Sequence, residues 1–191
     1  MWFKGNSIVE FVPDFTVIDL ETTGRGMQYT QITEISAIKY RNYEPVASFS
    51  TLIRAKFPIL PFVEQLTGIS DTMIAGSPQI EEVIQSFVDF IDEDLIVGHN
   101  VNFDLGLVSD AYYHVTKQSI YNNYLDTLRI SRILNTDSLN HKLETLCQYF
   151  GIQRDVGHRG LADCEQTGQL YVSMKEKALN NNERGERYEC I

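Results

Sequence analysis

The sequence is poor in cysteine and has no long apolar run. Its three cysteines, Cys147, Cys164 and Cys190, are an odd number with wide spacing and no C-x-x-C motif, so neither a disulfide framework nor a zinc knuckle is indicated. The first residues lack the basic and apolar regions of a signal peptide, and no apolar stretch approaches the ~18 residues of a membrane span. We therefore expect a reducing, cytoplasmic setting and no membrane partner.

Positive charge is also scarce. The sequence has 16 Lys and Arg residues and 26 Asp and Glu residues, which gives a formal net charge of −10. This balance is a poor fit to a protein that binds nucleic acid through a broad basic face, because such binding depends on neutralising many phosphates. If the substrate is a polyanion, metal ions or local basic patches must offset the negative electrostatic field of the protein.

The composition is that of a globular domain, with 43% hydrophobic and 22% charged residues. These values exclude a disordered chain, a fibrous repeat and a coiled coil. A length of 191 residues suits one core, and no internal repeat or linker divides the chain. We predict a single domain over residues 1–180, followed by a polar, flexible tail over 181–191.

The secondary-structure pattern changes along the chain. Residues 15–20, 32–40 and 46–54 read as three strands of an antiparallel meander, and two short strands follow at 95–98 and just before Asp126. Helices are predicted from Ser77-Pro78 to residue 91, from about residue 102, and over 127–134, 139–150 and 159–178. Strands first and strand-helix alternation later indicate a mixed sheet with helices packed on it, in one α/β domain.

The first strand ends in D-L-E-T-T-G, residues 19–24. Because side chains alternate along a strand, Asp19 and Glu21 point to the same side of the sheet. Two carboxylates on one face repel each other unless a cation lies between them. For an isolated D-x-E motif, the alternative to a cation site is a strand end whose carboxylates are simply exposed to water.

Two further segments place acids at helix starts that follow strands or loops. H-N-V-N-F-D, residues 99–104, puts Asp104 in a first helical turn, and H-R-G-L-A-D, residues 158–163, puts His158 before a helix and Asp163 inside it. Taken singly, both aspartates also suit the helix dipole. Together, such oxygen ligands suit Mg²⁺ or Mn²⁺, and two ions could clamp a phosphoryl transfer while a histidine takes the proton of the attacking water.

The order and separation of the three motifs resemble those of the DEDDh branch of the DnaQ-like 3′-5′ exonucleases, the family of epsilon-type proofreading subunits of DNA polymerase III. The resemblance covers residues 12–178. It implies a ribonuclease H-like three-layer fold with a mixed five-stranded sheet flanked by helices. It also implies that two Mg²⁺ or Mn²⁺ ions are held by four residues and that His158 is the general base. The implied ligands are Asp19, Glu21, Asp104 and Asp163.

The resemblance further implies a pocket for the 3′-terminal nucleotide, lined by Leu20, Thr22, Thr23, His99, Asn100 and Phe103. Residues 66–69 are similar to a loop that closes over that nucleotide. Phe103 could equally be a core aromatic. We expect Asp126 to cap a helix rather than to bind metal, and His114 and His141 to lie at the surface.

The expected function is that of a metal-dependent 3′-5′ exonuclease that releases nucleoside 5′-monophosphates from single-stranded or frayed DNA, in proofreading or repair. A DNA polymerase subunit is a candidate partner. One alternative is an RNA-trimming exoribonuclease, since the motifs do not report how the 2′-hydroxyl is read. The other is a non-catalytic module that binds DNA ends or a polymerase, although such a role gives no reason to keep like charges together.

Overall fold

The computed structural model describes residues 3–24, 30–153 and 159–183. The strands are β1 (Phe15–Thr22), β2 (Ile32–Arg41), β3 (Glu44–Leu52), β4 (Leu95–Gly98) and β5 (Tyr124–Asp126). The helices are α1 (Pro61–Thr67), α2 (Asp71–Ile74), α3 (Ile80–Ile91), α4 (Asn102–Thr116), α5 (Thr127–Leu134), α6 (Leu143–Phe150) and α7 (Gly160–Glu183).

The strands form one mixed sheet in the order β3-β2-β1-β4-β5. β1, β2 and β3 pair antiparallel as a meander, while β4 and β5 run parallel to β1. Parallel neighbours need a crossover connection, and α4 supplies it between β4 and β5. The predicted mixed sheet, with a meander first and strand-helix alternation later, is confirmed.

Helices cover both faces of the sheet, so the domain has three layers. Ile18 and Leu20 of β1 belong to a core shared with α3 and α4, whereas Phe15 and Val17 belong to a core shared with α5, α6 and α7. The alternation along β1 therefore turns its odd-numbered residues toward α7. Asp19 and Glu21 continue that odd-numbered series beyond the apolar core.

Helix α7 lies unusually close to β2 because glycines face the sheet. A Cβ atom on Gly168 would overlap the hydroxyl and ring of Tyr40. Tyr40 has little room to move, since it is buried and its ring stacks on Phe15 with 4.7 Å between centroids. At the start of the helix, a Cβ atom on Gly160 would lie 2.5 Å from the Ser36 hydroxyl oxygen. Only glycine, which has no Cβ atom, permits such a close contact between the helix and the strand.

Two predicted helix starts are wrong. Helix α3 begins at Ile80 and is capped by Gln79, because the Ser77 N–H bonds the Ile74 carbonyl and so belongs to the turn that ends α2. Helix α6 begins at Leu143 rather than 139. Hydrogen bonds within the polar stretch 135–142 fold it into a turn that leaves Leu139 92% exposed instead of directed inward.

Three further boundaries differ from the prediction. Helices α1 and α2 occupy part of the stretch that we expected to be a loop, with Pro61 in the first turn of α1 and Gly68 as its left-handed C-cap. Strand β3 ends at Leu52, two residues early. Helix α7 continues past Ala178, its last core residue, to Glu183, so residues 181–183 are helical rather than part of a tail. The remainder of the predicted tail lies outside the described residues.

Within the described part of the chain, no helix combines the length and apolar character that crossing a membrane requires.

Two glycine substitutions test how tightly α7 packs. Gly168→Ala should lower the free energy of unfolding by about 1–3 kcal/mol, because the added methyl group overlaps Tyr40. Gly106→Ala in α4 is the matched control, since a Cβ atom there meets nothing within 4 Å, and it should raise stability by about 0.5–1 kcal/mol. Urea unfolding measures both. A Gly168→Ala protein as stable as wild type would contradict the close approach.

Candidate active site

The predicted acidic residues come together at one end of β1. Asp19 and Glu21 leave the strand on the side that α7 covers. Asp163 reaches the same place from the first turn of α7, and buried Asp104 approaches from the first turn of α4, which follows β4. Two strand positions and two helix starts, far apart in sequence, thus meet beside the carboxyl ends of β1 and β4, where open α/β sheets place their sites.

Three of these carboxylates lie within reach of one metal ion. One oxygen from each of Asp19, Glu21 and Asp163 lies within 4.8 Å of the other two. Asp104 is not part of this tight group, but its charge acts directly on Asp19. Oxygen-only carboxylate sets prefer hard divalent cations, so these residues fit a cation of that class.

The carboxylates in this group repel one another. Burial raises the pKa of Asp19 well above its ordinary value, and the neighbouring charges of Asp104, Glu21, Asp163 and Glu34 raise that pKa further. Burial, followed by the charge of Asp19, also raises the pKa of the Cys164 thiol beside the site. A cation among these groups would remove much of the repulsion, which supports the metal-site interpretation.

Glu34 is an acidic neighbour that the sequence analysis missed. It lies on β2 directly opposite Glu21 and is only 3% exposed. The available signal was an acidic residue inside the strand sequence Ile32-Thr33-Glu34-Ile35, where a buried position is otherwise expected to be apolar.

A cleft of about 430 Å³ opens beside the acidic residues. Its walls include Leu20, Thr22 and Phe103, three of the six residues that we predicted to contact substrate. Phe62 and Leu66 of α1 complete the apolar wall and are 60% and 54% exposed. Phe62 was missed because α1 itself was not predicted. The Pro61 and Gly68 positions at the two ends of this helix were the signal.

The segment 66–69 is not a separate loop over the cleft. Leu66 and Thr67 are the last residues of α1, and Gly68 ends that helix in the left-handed conformation with φ of 71°. The Thr67 hydroxyl binds back to the Val63 carbonyl and receives the Ile69 N–H. These bonds fix the helix end, so Leu66 is presented to the cleft from a capped helix.

The other three predicted substrate residues make contacts inside the protein. Buried Thr23 receives the Gln31 N–H on its hydroxyl oxygen at 3.1 Å. The His99 ring lies with Nδ1 2.9 Å from the Thr127 hydroxyl oxygen and Nε2 3.0 Å from the His141 carbonyl oxygen. Asn100 adopts a φ of 63°, and its backbone N–H donates to Asp126 at 2.7 Å.

The remaining predictions concern a cap and three histidines. Asp126 caps α5 by accepting the Leu128 N–H, as predicted. His114 is exposed, as expected, but His141 is half-buried because its Nδ1 lies 3.1 Å from the Ser131 hydroxyl oxygen. His158 lies outside the described residues.

The chain is similar to known proteins over most of its length. A family model described as "Exonuclease" matches residues 16–171. The DNA polymerase III PolC-type proteins of Latilactobacillus sakei and Bacillus subtilis are 36% and 34% identical over 168 and 175 residues, which are 88% and 91% of this chain. The chain spans only 12% of the length of each of these relatives.

Solved structures show the same architecture. Exonuclease X in complex with 5′ overhanging duplex DNA superposes with a TM-score of 0.66 at 25% identity, covering 92% of this chain and 96% of that one. Escherichia coli Exonuclease I in complex with a dT13 oligonucleotide gives a TM-score of 0.76 at 17% identity, covering 91% of this chain and 43% of the other. The predicted ribonuclease H-like fold is confirmed, and by its motifs, its fold and the family model the chain belongs to the exonuclease family.

Proposed function

We propose that the chain is a metal-dependent 3′-5′ exonuclease that removes nucleoside 5′-monophosphates from the 3′ end of single-stranded or frayed DNA. The observation that carries the proposal is the group formed by Asp19, Glu21 and Asp163, whose carboxylates converge beside a cleft that is also lined by apolar residues. The DNA in the Exonuclease X and Exonuclease I complexes supports DNA as the substrate class.

Four residues would hold two Mg²⁺ or Mn²⁺ ions in this proposal: Asp19, Glu21, Asp104 and Asp163. Such ions would stabilise the charge that develops on the attacking and leaving oxygens of the phosphodiester. In the protein, the strand and the two helix starts hold the carboxylates in place before substrate arrives. His158, which lies just before α7 in the sequence, would take the proton from the attacking water.

The cleft wall would bind the terminal nucleotide. Its volume of about 430 Å³ falls in the range of small-molecule sites, roughly 300–1,000 Å³. Phe62, Leu66 and Phe103 offer apolar surfaces for base and sugar, and stacking of this kind tolerates any base sequence. Thr22 at the end of β1 lines the same cleft, and its hydroxyl would bind the terminal sugar. Thr23 adjoins Thr22, and His99 and Asn100 lie a few residues before Phe103 in the sequence, so the hydrogen bonds of these three residues would hold the neighbouring wall residues in place.

The polymerase relatives suggest where such an activity would be used. Because they match this chain over a small part of their length and are DNA polymerases by description, we infer a proofreading role beside a polymerase subunit. A separate repair role would use the same chemistry on the same kind of DNA end.

The requirement for a free 3′ end tests the proposal. With Mg²⁺ or Mn²⁺ present, a linear DNA strand should be shortened to 5′-monophosphates, whereas a closed circular strand should resist and EDTA should stop the reaction. The matched RNA strand should be degraded more slowly. Circle cleavage at the linear rate would indicate an endonuclease, and faster degradation of RNA would indicate an exoribonuclease.

Asp19→Asn should separate activity from stability. Loss of a shared metal ligand should lower turnover by about a hundredfold or more. Because the folded protein raises the pKa of Asp19, ionisation destabilises the metal-free fold as pH rises above the ordinary aspartate range. The metal-free variant should therefore melt at a higher temperature than wild type at neutral pH, and this gain should vanish at a pH low enough to protonate Asp19 in both the folded and unfolded states.

Thermal melting of the metal-free proteins, followed by single-turnover assays with metal, gives both quantities. Asp137→Asn is the control, since Asp137 is an exposed carboxylate whose partners are Tyr149 and Lys177. It should leave turnover unchanged. Wild-type turnover in folded Asp19→Asn protein would contradict the ligand assignment.

His158→Ala should lower the rate while leaving metal affinity intact. Removal of a general base typically costs about 10² to 10⁴ in rate. Metal titration by calorimetry and the pH dependence of the single-turnover rate should be measured on wild type and variant. A loss of metal affinity in proportion to rate would make His158 a ligand. Full rate with an unchanged acidic limb would mean that another group activates the water.

A further inference from the structure

Glu34 occupies a place that strand formation alone does not explain. It faces Glu21 across the antiparallel β1-β2 pair, where two like charges destabilise a sheet. It is also buried, and a buried carboxylate is costly unless its oxygens are hydrogen-bonded or paired with a cation. Its contacts therefore indicate what the residue contributes.

These contacts lead to the first residue of α7. The Gly160 N–H donates to Oε2 of Glu34 at 3.2 Å. The Arg159 guanidinium donates to Oε1 at 3.4 Å, and the Ser50 hydroxyl lies 3.5 Å from the same oxygen. One carboxylate on β2 thus binds the backbone of Gly160 and the side chain of the residue before it.

The start of a helix is where such a carboxylate has most effect. The first N–H groups of a helix have no acceptor within the helix and carry a partial positive charge. Glu34 accepts one of them, and Gly160 allows the contact because a Cβ atom there would lie 2.5 Å from the Ser36 hydroxyl oxygen and 2.8 Å from Ser36 Cβ. The start of α7 is therefore held against β2 by hydrogen bonding and by fit.

The contact of Glu34 with Arg159 and Gly160 lies one helical turn from the acidic group. Asp163 lies three residues after Gly160, and its N–H bonds the Arg159 carbonyl at 3.0 Å. Any displacement of the Arg159-Gly160 pair moves that turn and the Asp163 carboxylate with it. Glu34 is also close enough to the site for its charge to contribute to the raised pKa of Asp19.

We propose that Glu34 is a positioning residue of the active site, which fixes the start of α7 on β2 and thereby sets the Asp163 carboxylate against Asp19 and Glu21. This inference rests on the proposed function for its consequence in catalysis, while the anchoring itself belongs to the metal-free protein.

Three variants test the proposal. Glu34→Ala removes both acceptors and should weaken Mn²⁺ binding, measured by calorimetry, by about tenfold and lower kcat to a similar extent, as loss of a ligand-supporting group does. Glu34→Gln keeps one acceptor for Gly160 and should fall between Glu34→Ala and wild type. Gly160→Ala changes no charge but displaces the helix start, and it should weaken Mn²⁺ binding in the same direction. KM for the DNA strand should not change.

Hydrogen exchange of the metal-free proteins gives a reading that does not depend on activity. Amides in the first turn of α7 should exchange at least severalfold faster in Glu34→Ala than in wild type. Asp94→Asn is the matched control, because Asp94 is a well-covered carboxylate paired with Arg41 and Lys39 at the opposite end of β1. It should lower stability without changing Mn²⁺ affinity or exchange at α7.

Any of three results would overturn the proposal. The first is wild-type Mn²⁺ affinity and kcat in folded Glu34→Ala or Glu34→Gln. The second is a loss of Mn²⁺ affinity in Asp94→Asn equal to that in Glu34→Ala, and the third is wild-type behaviour of Gly160→Ala while Glu34→Gln loses affinity. The last result would mean that Glu34 acts through its charge alone. If Glu34→Ala does not fold, Glu34→Gln and Gly160→Ala decide. Failure of the proposed function would show separately, as wild-type protein without Mn²⁺ binding or 3′-end cleavage.

Discussion

Mutual repulsion among closely spaced carboxylates is the constraint on which this structure depends. Asp19, Glu21 and Asp163 approach within 4.8 Å, and Asp104 and Glu34 add their charges to the same small volume. The free energy that holds them together comes from elsewhere, from the two apolar cores that pack helices on both faces of the sheet. The acidic end of β1 is thus a locally unfavourable arrangement that the rest of the domain stabilises.

The distance between α7 and the sheet decides whether those charges form a site. Asp163 is carried by the helix and Asp19 by the strand, so their separation follows the packing between the two elements. Gly160 and Gly168 allow a close approach that any larger side chain would prevent, and buried Cys164 fills the space beside Val17. The same contacts therefore serve stability and function, whereas the carboxylates that they bring together oppose stability.

Much of the acidic site could be predicted because local rules place it. The two-residue period of a strand puts Asp19 and Glu21 on one face, and the starts of two helices, α4 after β4 and α7 after α6, carry Asp104 and Asp163. That all four converge was implied only by the resemblance of the three motifs to those of the exonuclease family. Glu34 and Phe62 could not be placed, because the first requires the β1-β2 register and the second requires a short helix whose apolar residues lack a long period.

The contacts of His99 also could not be predicted from the sequence. Its ring partners, Thr127 and the His141 carbonyl, lie 28 and 42 residues away in sequence. A motif can indicate that a histidine belongs beside the cleft, but only the packing of α5 against the following turn determines which atoms its nitrogens meet. The contact with His99, together with one to Ser131, also accounts for the half-buried position of His141, which we expected at the surface.

The acidity of the chain and the proposed DNA substrate become compatible once the mode of binding is considered. A protein of net charge −10 gains little from a long track of phosphate contacts, and binding of that kind would also be strongly weakened by salt. In the proposed function, the cleft would instead present Phe62, Leu66 and Phe103 to the bases and sugar of a chain end. Stacking on such surfaces contributes roughly 1–3 kcal/mol per base without requiring positive charge. A cleft that would hold only the last nucleotides of a strand through apolar contact, beside carboxylates that would bind metal cations, therefore needs little basic surface to act on a polyanion at its end.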